Sequence, residues 1–107
     1  MSPTRFGLSD ELVEQFCEVF ARYPEIDRVL LYGSRARGDH QAQSDIDLTL
    51  EGPRLGHQKS LTIAGELDDI YHPYLIDLSL KSTLTSEALL QQIQKDGQVF
   101  YEKTPAP

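Results

Sequence analysis

The chain has 107 residues, 39% of them hydrophobic and 25% charged, with a formal net charge of −7 and a single cysteine, Cys17. The length fits one domain that buries roughly two-thirds of its unfolded surface. The acidic balance argues against non-specific nucleic-acid binding, the lone cysteine rules out an internal disulfide, and no run of about 18 apolar residues suggests a membrane span, so a soluble cytoplasmic protein is expected.

Ser9 is placed to cap a helix whose first turn carries Asp10 and Glu11, which suits the helix dipole. Leu12, Val13, Phe16, Val19 and Phe20 recur at helical spacing, and Pro24 stops the run. Cys17 lies near that stripe and reads as a small core residue. Arg28-Val29-Leu30-Leu31-Tyr32 reads as a buried strand. Gly33 breaks it, and glycine can bring main-chain N–H groups close to a ligand. Ser34 to Arg37 read as one or two helical turns ended by Gly38. A strand, a glycine turn and a helix start together make an anion site, with N–H groups at the positive end of the dipole.

A polar loop over residues 39–43 leads to residues 45–51, which alternate polar and apolar as a strand with one wet face does. Asp45 and Asp47 then share a side, while Ile46, Leu48 and Leu50 turn to the core. Two carboxylates about 5 Å apart repel by roughly 3 kcal/mol at an effective dielectric of 20. A divalent cation turns that repulsion into binding, and hard Mg²⁺ prefers carboxylate oxygen. A phosphate cradle facing a carboxylate pair is what metal-assisted phosphoryl or nucleotidyl transfer requires.

Residues 51–56 form a turn cluster. Leu61, Ala64, Leu67 and Ile70 mark a second amphipathic helix, with Ile63 beside the stripe and His72-Pro73 ending it. His40, His57 and His72 read as surface or capping residues. Residues 74–80 are a third strand, in which Asp77 is a lone carboxylate inside an apolar run. Either it faces solvent or it is paired or metal-bound, because a bare buried carboxylate is costly. Thr85 or Ser86 caps a last helix carrying Leu89, Leu90 and Ile93, Gly97 closes it, and Val99-Phe100-Tyr101 adds a short strand. Residues 1–103 read as one α/β (α+β) domain and residues 104–107 as a disordered tail.

The run Gly33-Ser34-Arg35-Ala36-Arg37-Gly38 with Ser44-Asp45-Ile46-Asp47-Leu48 resembles the signature of the DNA polymerase beta-type nucleotidyltransferase superfamily, and its smallest members above all. The likeness runs from about Ile26 to Tyr101, and the late Lys95-Asp96-Gly97 departs mildly from a family ending that more often has Glu-Gly. It implies a nucleotidyltransferase fold with a small mixed sheet of about four strands and helices packed on it. It also implies Asp45, Asp47 and Asp77 as ligands of two Mg²⁺ ions, with ATP as donor of AMP. Asp77 is the match for the family's third carboxylate and could also take a proton from the acceptor. Gly33 and Ser34 would cradle the outer phosphates, and Arg35 or Arg37 could neutralise phosphate charge; two residues apart on a helix, they point in different directions.

Larger relatives carry an acceptor domain that finds no room here, so the resemblance implies a partner chain. In toxin–antitoxin members that partner is a HEPN-domain toxin, and AMP goes to one of its tyrosines. Two alternatives stay open: a non-catalytic nucleotide-binding subunit that neutralises a partner by complex formation, and a nucleotidyltransferase acting on a small molecule such as an aminoglycoside. A P-loop and a Gly-x-Gly-x-x-Gly dinucleotide motif are both absent from the sequence.

Overall fold

The structure is a computed structural model that describes residues 4–70 and 72–103, the first two by their backbone alone. The expected tail lies outside the described residues. Thr4–Arg5 (β1) and Leu8–Ser9 (β2) form a small antiparallel hairpin. Its turn residues Phe6 and Gly7 both have positive φ, 59° and 76°, the combination that matches the twist of a two-residue hairpin loop. Two-residue strands carry no readable alternation, so the sequence pattern gave no sign of this hairpin.

Ser9 then caps Asp10–Ala21 (α1), its side chain accepting from the Leu12 amide. Arg28–Tyr32 (β3) leads through Gly33 into the single turn Ser34–Arg37 (α2). Ile46–Glu51 (β4) follows, then His57–Asp69 (α3), Ile76–Leu80 (β5), Glu87–Asp96 (α4) and Gln98–Glu102 (β6). The main sheet has four strands in the order β5-β4-β3-β6, with β4 and β5 parallel and the other pairs antiparallel. This is the small mixed sheet with packed helices that the sequence led us to expect.

One face of the sheet is apolar. Val29, Leu31, Ile46, Leu48 and Leu50 pack with Leu12, Phe16 and Phe20 of α1 and with Ile63 and Leu67 of α3. The other face carries Leu30, Tyr32, Asp47, Thr49, Asp77 and Ser79, which the register places side by side. On that side α4 covers only a part, where Ile93 meets Leu30 and Tyr32. The register of β6 against β3 shifts between Val29 and Leu30, leaving Phe100 as the extra residue of a β-bulge. Phe100 and Tyr101 consequently both reach the apolar side, where each meets the Phe20 ring.

Several element bounds differ from expectation. β4 starts at Ile46, with Asp45 just ahead of it, and β5 starts at Ile76 rather than Tyr74. The stripe of α3 is Ser60, Ile63 and Leu67, while Leu61 is 59% exposed and Ile70 lies past the helix end. The expected stripe stepped strictly by three residues. At roughly 100° per residue, three such steps carry a side chain to the opposite face. His72 does cap: its Nε2 reaches the Leu67 carbonyl at 3.1 Å, and its Nδ1 accepts from the Tyr74 amide. Cys17 is half-buried, its Sγ donating to the Phe100 carbonyl.

Candidate functional site

The end of β3 builds the site. Val29 to Tyr32 are buried, so the strand is anchored until the chain reaches Gly33. There φ is +78°, a backbone conformation that L side chains rarely adopt. A Cβ at Gly33 would also collide with Oδ2 of Asp47. Glycine is therefore required twice, once by backbone angle and once by the carboxylate lying over it.

The hydrogen-bond ladder of α2 begins at the Arg37 amide, which donates to the Gly33 carbonyl at 3.1 Å. The amides before it lie outside that ladder. Ser34 is half-buried at the first helical position, and its carbonyl accepts from the Gly38 and Asp39 amides, closing the turn where Gly38 takes φ of +85°. Gln98 of β6 reaches across and donates to the Ala36 carbonyl at 2.8 Å. The turn is thus held from the strand, from its own end and from β6.

The carboxylates come from the two strands on the other side. Asp47 lies opposite Tyr32 in the antiparallel register and beside Asp77 in the parallel one. Asp47 is half-buried, whereas Asp45 and Asp77 are exposed. Burial pushes the Asp47 carboxyl above the ordinary aspartate range, the charges of Asp77 and Asp45 push it further, and Arg37 opposes them. Burial also raises the Tyr32 phenol, a hydrogen bond with Ser79 works against that, and the charges of Asp77 and Asp47 add to it. The site is a locus of crowded negative charge beside a turn whose first amides lie outside the helical ladder. Among the described residues, the His, Cys, Asp and Glu side chains form no group of three close enough to hold a metal as they stand.

The two arginines part company. Arg37 is exposed, pairs with Asp39 at 3.2 Å and acts electrostatically on Asp47. Arg35 is 2% exposed and turns inward, donating to the carbonyls of Phe6, Ala42 and Ser44. Its donors are engaged within the protein, whereas Arg37 is the arginine on the carboxylate side. Tyr32 and Ser79 were read only as strand residues. Their signal lay in position, since Ser79 follows Asp77 by two and Tyr32 immediately precedes the glycine.

The family model described as Polymerase beta, Nucleotidyltransferase matches residues 14–106. A curated protein of Methanocaldococcus jannaschii that carries the name of a protein adenylyltransferase, MJ0604, is 30% identical over 78 residues. Those residues make up 73% of this chain and 62% of that protein, so the chain spans less than two-thirds of the relative's length. Among solved structures, a chain of a toxin-antitoxin crystallised with AMP-PNP superposes with a TM-score of 0.69 at 20% identity, covering 85% of this chain and 73% of that one. A chain of the tri-AMPylated Shewanella oneidensis HEPN toxin in complex with MNT antitoxin gives 0.64 at 18% identity, covering 87% and 71%. At these identities the two superpositions establish a shared fold.

Proposed function

We propose, since the chain belongs to the polymerase beta nucleotidyltransferase family, that it moves AMP from ATP to a hydroxyl of a protein acceptor, specifically a tyrosine of a HEPN-domain toxin. One observation supports the reading: Asp47 lies over the Gly33 turn and beside Asp77, so a glycine turn at a helix start and a carboxylate pair meet at one end of the sheet. The relative named as a protein adenylyltransferase and the AMPylated HEPN toxin complex among the structural neighbours support the acceptor class.

The residues fit a divalent cation. Asp47 is raised by burial and by two neighbouring carboxylates, a local excess of negative charge that a cation relieves. Asp45, Asp47 and Asp77 would hold two Mg²⁺ ions, with the exposed side chains of Asp45 and Asp77 turning toward Asp47 to do so. Such ions supply charge neutralisation at the phosphates and a more acidic attacking hydroxyl. The protein's own groups do the rest. Ser34 and the amides after Gly33 orient the outer phosphates. Arg37 offsets their charge from the rim. Asp77, on the edge strand β5, accepts the proton of the attacking hydroxyl. The oxygen–phosphorus bond to the acceptor forms at the α-phosphorus as the bond to pyrophosphate breaks, and pyrophosphate leaves.

Intact-mass spectrometry of the protein with ATP, Mg²⁺ and its co-purifying partner tests this. The partner should gain the mass of one or more AMP units, and Asp47→Asn should remove the gain. A stable complex whose partner never gains mass would transfer the reading to neutralisation by binding alone.

A further inference from the structure

The least expected side chain in the core is a cation. Arg35 is the bulkiest fully buried residue among those described, at 2% exposure. A buried guanidinium is expensive unless its donors are all engaged. Here Nε and Nη2 both donate to the Ser44 carbonyl, at 3.2 and 2.9 Å, Nη2 also reaches the Ala42 carbonyl at 3.3 Å, and Nη1 donates to the Phe6 carbonyl at 2.9 Å. Cζ sits 4.8 Å from the centroid of the Tyr74 ring. An apolar side chain there could not bind carbonyls on two separate segments at once.

The Ala42, Ser44 and Tyr74 partners lie on segments that lead into the site. The Ser44 carbonyl belongs to the peptide that continues into Asp45, so its direction governs how Asp45 and then Asp47 leave the loop. The loop is already closed on itself, with the Ser44 amide donating to the Gln41 carbonyl and the Gln41 amide donating to Ser44 Oγ. Tyr74 precedes Asp77 by three residues, and the Leu75 carbonyl next to it accepts from the Ile46 amide. Arg35 itself follows Ser34 in α2. One side chain therefore joins the phosphate turn, the loop that delivers two carboxylates and the approach to the third.

We infer that Arg35 is a positioning residue: by gripping the Ala42 and Ser44 carbonyls against the Tyr74 ring, it fixes where Asp45, Asp47 and Asp77 stand relative to the Gly33–Ser34 turn. The inference rests on the proposed nucleotidyl-transfer reading for what the site binds, and on geometry alone for what Arg35 holds. Lysine keeps the charge but lacks the planar fork, so Arg35→Lys separates charge from grip.

The test uses the full chain and two readouts. Mn²⁺ is titrated in the presence of AMP-PNP, with free Mn²⁺ followed by electron paramagnetic resonance. Amide hydrogen exchange is measured across the same protein. In Arg35→Lys we expect the apparent Mn²⁺ affinity to fall about 10-fold, as for other groups that orient metal ligands. Amides over residues 42–47 should exchange faster while those of β3 and β6 keep their protection. Loop exchange at the parent rate would overturn the inference. So would faster loop exchange with parent Mn²⁺ affinity, which marks a merely structural role. If Arg35→Lys does not fold, Tyr74→Leu removes the ring beneath the guanidinium. Weakened Mn²⁺ uptake in that variant supports the inference and parent uptake overturns it. Equal Mn²⁺ uptake by the parent and Asp47→Asn would break the functional reading instead, and the exchange arm would still decide whether Arg35 holds the loop.

Discussion

Asp47 and Asp77 are direct neighbours across the parallel pair β4·β5, on the same face of the sheet, with only Asp47 half-buried. Like charges on adjacent strands oppose folding, and the core on the opposite face outweighs them. This is a stability cost carried by two of the residues proposed to hold the cations.

Asp47→Asn should therefore separate activity from stability. AMP transfer should drop below about a hundredth of the parent, since even groups behind a metal ligand cost about 10–100-fold. Thermal unfolding in EDTA at pH 7 should rise, by less than about 1 kcal/mol because the site is partly exposed. The folded Asp47 carboxyl titrates above its ordinary value of 3.8, so its charge disfavours the fold at neutral pH. That penalty disappears as pH falls through the folded value and below 3.8. The advantage of the variant should vanish over the same range, which denaturant titrations at pH 7 and pH 3 would reveal.

Gly33→Ala should lose about 1–3 kcal/mol to the backbone alone, because φ of 78° with ψ of −157° is a region essentially reserved for glycine. The new methyl also pushes on Asp47 Oδ2, so transfer should fall by more than the loss of folded protein explains. Gly38→Ala makes the control: it too has positive φ, but its Cβ would meet nothing within 4 Å. Its ψ of 6° puts it in the left-handed helical region, so it should cost only about 1–2 kcal/mol and keep the transfer rate per folded molecule.

Glu51 predicts the opposite pH behaviour from Asp47. Its hydrogen bond from Arg28 lowers the carboxyl most, burial opposes that, and Lys81 lowers it further with its Nζ at 2.8 Å. A depressed carboxyl stabilises the fold above its ordinary value of 4.5, and the contribution is lost as pH falls through that value toward the folded one. Glu51→Gln should cost roughly 0.5–1 kcal/mol at pH 7 and almost nothing at pH 2, measured by urea unfolding.

The face of α3 can be checked by two substitutions. Ile63→Ala, at a fully buried position, should cost about 2–5 kcal/mol. Leu61→Glu, at a largely exposed one, should stay within about 0.5 kcal/mol. Reversed costs in thermal melts would restore the stripe that the sequence suggested.

That misplaced stripe shows where sequence reading succeeds and where it fails. The strand to Tyr32, the one-turn helix ended by Gly38 and the caps at Ser9 and Ser86 were legible because each rests on local chemistry. Period-two alternation also gave the inward side of Ile46, Leu48 and Leu50, whereas the place of Asp77 beside Asp47 depends on the pairing register of two strands. The inward turn of Arg35 was not legible. Its partners Phe6 and Tyr74 lie far away in sequence, and an arginine beside a phosphate-binding turn reads most simply as a phosphate ligand. The bulge at Phe100 was hidden for a similar reason, since register depends on what both strands bury.

The place of β6 in the sheet bears on when the site can exist. β3, the strand that ends in the glycine turn, has β4 on one side and β6 on the other, and β6 is separated from it by most of the chain. Gln98, the first residue of β6, also supplies the donor to the Ala36 carbonyl in α2. During synthesis, residues 28–51 leave the ribosome long before residues 98–102, so the turn lacks its β6 brace until that strand arrives. Non-local pairing of this kind is the slow step in small sheets. The full bracing of the glycine turn therefore coincides with completion of the sheet.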